Sequence, residues 1–126
     1  MILWNSRLIL DIVAKIKYDV YEALKSSLEL LDSFDIGEND KVLIKPSIIE
    51  PAYSYTAVNT NPKILDALIT FLKEKKINDI IVAEQALIGS DVKDAASKAG
   101  ILDVCKKQGI NFVDISKGSF EEVESE

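Results

Sequence analysis

The residues best suited to chemistry in this sequence are Lys45, Ser47, Thr60, Asn61 and Glu84. Lys45 closes the apolar run Val42-Leu43-Ile44 and is followed by Pro46 and Ser47, while Glu84 closes the run Ile80-Ile81-Val82-Ala83. Thr60-Asn61-Pro62 stands where a helix would begin. A lysine at a strand end supplies a cation for a carboxylate or phosphate, and a helix amino terminus beside it adds N–H donors and the positive end of a dipole. A glutamate ending a buried strand sits where desolvation favours the protonated acid, which suits it to acid or base work. Each residue also has a plainer role. A strand-ending lysine pairs with a nearby acid, Thr-Asn-Pro caps a helix, and Glu84 is a ready salt-bridge partner for Lys45.

Several other chemistries lack their parts. The chain has no histidine and a single cysteine, Cys105, so it holds no cysteine–histidine nucleophile pair, no intrachain disulfide and no cysteine cluster for zinc or iron–sulfur. Cys105 falls among apolar helix positions and reads as a core residue. The one candidate for a phosphate loop, Ile88-Gly89-Ser90-Asp91, has one glycine. No metal ligand set and no cofactor are expected, and only carboxylates remain to serve a hard ion such as magnesium. With 15 basic against 21 acidic residues the formal charge is -6, which repels phosphate backbones, so nucleic acid is not an expected partner. No apolar run approaches the roughly 20 residues of a membrane-spanning helix. The first ten residues lack a basic leader and a small-residue cleavage site, so a cytoplasmic protein is expected.

The elements that must position these side chains follow from periodicity. Residues 13–18 alternate apolar side chains with lysines as a half-buried strand does, and Asp19 can cap a helix running to about residue 34 before Gly37. Residues 41–45 form a second strand that Pro46 ends, and the stretch to Asn61 is longer than the roughly 2 to 6 residues usual for such connections. Pro62 opens a helix capped by Asn61 or Thr60, and a third strand spans 79–83. Ser90 is the expected cap of a helix that Gly100 breaks in two, and 110–115 form a fourth strand after Gly109. The alternation gives an α/β fold, a mainly parallel four-stranded sheet with helices on both faces (βαβαβαβ). Residues 13–115 are read as one domain, 1–12 as an arm or edge strand, and 116–126 as an acidic tail. In the long loop, Tyr53 and Tyr55 alternate with Ser54 and Thr56; they could line a pocket or stack on a ring, or anchor the loop or a subunit contact, and anchoring is the expected role.

Lys41-Val42-Leu43-Ile44-Lys45-Pro46, then Thr60-Asn61-Pro62, Ile80-Ile81-Val82-Ala83-Glu84 and Lys98-Ala99-Gly100-Ile101-Leu102 together form a recognisable pattern over residues 13–114. It resembles the family called domain of unknown function 362, in a short or partial version. The resemblance implies an α/β protein with a lysine-proline-asparagine strand end, a threonine-x-proline helix start and a strand closing on an acid. It also brings an association with iron–sulfur annotation, because some relatives are fused to ferredoxin-like modules; with a single cysteine in these 126 residues, no such module is expected among them. Ser47 stands where the family usually has asparagine, and Ala83-Glu84-Gln85-Ala86 replaces a more polar turn.

Ligands of open α/β sheets bind outside the carboxyl ends of the strands. Three readings therefore compete. The first is a module binding a small anion, phosphate or carboxylate, through Lys45, Ser47, Thr60 and Asn61. The second is an enzyme or enzyme fragment using Glu84 and Lys45 with a hard metal ion. In the third, residues 1–12 and the long loop build a homo-oligomer.

Overall fold

The computed structural model of the chain describes residues 2–5, 8–11, 19–30, 36–85 and 89–119, the first two stretches as backbone only. Ile2–Asn5 (β1) and Leu8–Asp11 (β2) form an antiparallel hairpin. Val20–Glu29 (α1) starts at Asp19, whose carboxylate accepts from the Glu22 amide at 2.9 Å, and it buries Leu24 and Leu28, side chains four residues apart on one face. Val42–Lys45 (β3) places Val42 and Ile44 in the core and leaves Lys45 exposed. Pro62–Glu74 (α2) begins with proline at its first position behind an Asn61 cap. It buries a wide stripe that includes Leu65, Leu68, Ile69 and Leu72.

Ile80–Glu84 (β4) is the central parallel strand. Val92–Lys98 (α3) and Ile101–Gln108 (α4) are separated by Ala99 and Gly100, whose φ of 78° lies in the left-handed region that glycine enters without a Cβ penalty. A Cβ on Gly100 would sit 3.4 Å from Pro62 Cγ, so the break between the two helices is packed against the start of α2. Asn111–Asp114 (β5) follows Gly109, and a 3₁₀ turn, Ile115–Lys117, ends the described chain nearby.

The sheet order is β2-β1-β3-β4-β5. β3, β4 and β5 are parallel, with Val42 opposite Ile80, Ile44 opposite Val82 and Glu84 opposite Asp114. β1 runs antiparallel to β3. Three of the four expected parallel strands are thus present, and the expected strand at 13–18 lies outside the described residues.

The helices do not divide between two faces. Alternate residues of β3 and β4 (Val42, Ile44, Ile80 and Val82) share one apolar cluster with Leu28, Leu68, Ala96, Ile101 and Cys105, which come from all four helices. The cause is the strand order. From β3 to β5 the chain always steps the same way along the sheet, and right-handed crossovers that step one way lay their helices on one side. On the other face Ile81 and Val113 remain 39% and 44% exposed.

Smaller departures have local causes. The cap of α3 is Asp91, not Ser90: its carboxylate accepts from the Lys93 and Asp94 amides at 2.8 and 3.0 Å. α1 ends at Glu29, earlier than residue 34, and residues 31–35 lie outside those described. Among the described residues no helix is long and apolar enough to cross a membrane.

Candidate functional site

The parallel strands end on Lys45, Glu84 and Asp114, three charged residues at one edge of the sheet. Glu84 lies two residues beyond Val82 and so shares its core-side face, where its side chain is 4% exposed. Lys45 follows Ile44 and leaves the sheet on the opposite face, but its long stem brings Nζ to 2.8 Å from Glu84 Oε2. The other carboxylate oxygen, Oε1, accepts from the Gln85 amide at 2.7 Å. Both oxygens of the buried acid are therefore engaged, and the lysine that serves it remains 48% exposed.

The long connection after β3 closes on itself. The Ser47 amide donates to Thr60 Oγ1 at 2.9 Å, and the Thr60 amide donates to the Ser47 carbonyl at 2.8 Å. Within the loop, buried Asn59 accepts from the Ile49 amide at 2.8 Å through Oδ1 and donates through Nδ2 to the Glu50 and Ala52 carbonyls at 2.9 and 3.2 Å. An amide is the side chain that both donates and accepts, so Asn59 satisfies loop backbone groups that no ladder reaches.

The fold brings Ser47, Thr60 and Lys45 to one strand end, with Asn61 opening α2, although some of their hydrogen-bonding capacity is already used. Asn61 Oδ1 accepts from the Lys63 amide at 3.0 Å and its carbonyl accepts from Ile64 at 3.0 Å, while Pro62 has no amide hydrogen. The first turn of α2 is thereby capped from within, so its backbone does not form the anion cradle expected of a helix start. Side-chain donors remain. Among the described residues the Ser47 hydroxyl, the Thr60 hydroxyl proton and Asn61 Nδ2 donate to nothing, and the Lys45 ammonium donates to Glu84 alone.

Asp114, in register with Glu84, belongs to the same edge and was not among the expected site residues. It accepts from the Ser116 hydroxyl at 2.5 Å, the Ser116 amide at 3.1 Å and Lys117 Nζ at 3.0 Å. Ser116 first, then Lys117, holds this carboxyl below the ordinary range. The signal that could have found it is the one used for Lys45 and Glu84, a charged residue closing an apolar strand. Asn59 gave no such signal, because a buried loop amide has no periodicity. Among the described residues, no group of three or more histidine, cysteine, aspartate or glutamate side chains is arranged to hold a metal ion. Cys105 is buried in the core, and burial pushes its thiol up to about 11, which keeps it un-ionised and inert at neutral pH.

The tyrosines of the loop do not anchor it. Tyr53 and Tyr55 are 57% and 83% exposed and stack on each other, with ring centroids 5.6 Å apart and planes 10° apart. Asn59 and the Ser47–Thr60 pair do the anchoring.

A family model described as "Domain of unknown function (DUF362)" matches residues 42–126, from the first residue of β3 onward. No curated protein and no solved structure matches the chain.

Proposed function

The chain belongs to the DUF362 family, a domain of unknown function, and from that premise we propose that it is a binding module for a small anion, phosphate or carboxylate, held at the carboxyl ends of the parallel strands. The observation that carries the reading is the state of Lys45. Its ammonium is fixed at 2.8 Å by a buried acid, yet it stays half exposed with donors to spare. In this reading the Ser47 and Thr60 hydroxyls and the Asn61 amide nitrogen, on the segments that follow β3 and open α2, supply the remaining side-chain donors. Glu84 acts as a positioning residue that limits where Nζ can go. Because Glu84 offsets one unit of charge, the site favours ligands rich in acceptor oxygens over a bare counter-ion.

Thermal unfolding of the wild type and of Lys45→Ala, in phosphate and in a series of small carboxylates, tests this reading. A saturable rise in Tm is expected for the wild type, on the order of 10 °C at about a hundredfold excess over Kd, with none for Lys45→Ala. If no anion stabilises the wild type more than the variant, the reading fails.

A second reading has one observation in its favour. The 2.8 Å contact between Lys45 and Glu84 sets an acid or base, or a ligand for a hard metal ion, beside a cation able to stabilise charge, which is the pairing an enzyme would need. In that case Glu84→Gln would still bind the anion but lose turnover.

A further inference from the structure

We propose that the loop of residues 48–59 is a docking surface for a basic, arginine-bearing segment of a partner protein. The loop backbone is set without help from its aromatic rings. Ser47 and Thr60 close its base, Asn59 ties Ile49, Glu50 and Ala52 together, and the Thr56 amide and hydroxyl both donate to the Tyr53 carbonyl at 3.0 and 2.7 Å. Ala57 is held at a φ of 59°, a conformation a non-glycine residue adopts only when its surroundings impose it. Tyr53 and Tyr55 are presented on this frame, exposed and stacked, and among the described residues neither phenol makes a hydrogen bond. Ile49 is exposed on the same loop. Tyrosine rings outside the core, stacked on each other over a fixed backbone and with two side-chain torsions each, lose little entropy on contact, which is why tyrosine is favoured where proteins touch.

Charge selects the partner. Glu50 is the only charged residue between Pro46 and Asn61, and the chain as a whole carries -6. Aromatic faces attract cations through the ring quadrupole, and a guanidinium can stack on tyrosine while forking to a carboxylate such as that of Glu50. A second copy of this chain would bring the same acidic loop and the same net charge, and nucleic acid is repelled for the same reason.

The experiment is fluorescence anisotropy of a labelled peptide of alternating arginine and serine against the wild type, Tyr53→Ala/Tyr55→Ala, Tyr53→Phe/Tyr55→Phe and Lys45→Ala. Saturable binding that weakens with added salt is expected for the wild type. The alanine pair should bind about tenfold more weakly, and the phenylalanine pair within about twofold of wild type. Lys45→Ala should bind the peptide as the wild type does, which separates this surface from the anion site. Three results would overturn the proposal: no binding by the wild type, equal binding by the alanine pair, or sedimentation showing self-association of the wild type that the alanine pair abolishes.

Discussion

Lys45 and Glu84 make an asymmetric ion pair, and the asymmetry is measurable. Glu84 is buried and Lys45 is half in water. Removing the lysine leaves a buried carboxylate with only the Gln85 amide to serve it, whereas removing the acid's charge leaves a lysine that water can solvate. Lys45→Ala should therefore cost about 2–3 kcal/mol of unfolding free energy and Glu84→Gln about 1 kcal/mol. Urea denaturation of the two variants checks this, and equal costs would mean that the pair is solvated like an ordinary surface bridge. The same contact explains why the residues were legible from sequence while their state was not. Charged residues ending apolar runs are visible in the chain order. Whether Lys45 is free, paired or both depends on the register of β3 against β4, which no local pattern encodes.

At the scale of elements, the break between α3 and α4 combines a backbone requirement with a packing one. Gly100 and Gly109 both sit at positive φ, 78° and 66°, but only a Cβ on Gly100 would meet a neighbour, Pro62 at 3.4 Å. Each glycine-to-alanine change carries the left-handed strain of about 1–2 kcal/mol, and Gly100→Ala should cost no more than Gly109→Ala because its new Cβ meets Pro62 at ordinary van der Waals distance. Comparing the two urea midpoints isolates that contact. Periodicity found α2, β3, β4, β5 and the α3–α4 break, because those segments alternate or repeat cleanly and carry proline, glycine or asparagine at their ends. It offered residues 1–12 as an arm or edge strand, and they do form strands at one side of the sheet, but the hairpin they make, its pairing with β3 and the one-sided helix layer depend on long-range order. It also chose Ser90 over Asp91 as a cap, two adjacent residues of nearly equal capping preference that only the fold separates.

Over the whole molecule, acidic residues outnumber basic ones, and several are used by the folded state as anions. The hydrogen bonds from Asp94 and Lys93 amides hold Asp91 low, and Ser116 and Lys117 hold Asp114 low. For Asp66, burial works against the charge, but Lys107 and Gln108 outweigh it, and its carboxyl also lies below the ordinary range. With native pKa values depressed, the unfolded chain takes up these protons at higher pH than the fold does. Their stabilisation is complete above about pH 5 and is lost as pH falls through about 4 and below. Urea midpoints across that range should fall on acidification, and Asp114→Asn should flatten the fall. A pH-independent midpoint would remove these carboxylates from the account.

The central claim, an anion held at Lys45, is tested most directly by titrating phosphate into nitrogen-labelled protein and following each backbone amide by NMR. The account predicts saturable shifts centred on Lys45, Ser47, Thr60, Asn61 and Gln85, with Tyr53 and Tyr55 unmoved, and no such response in Lys45→Ala. Shifts scattered over the exposed lysines, or the same response in Lys45→Ala, would contradict it.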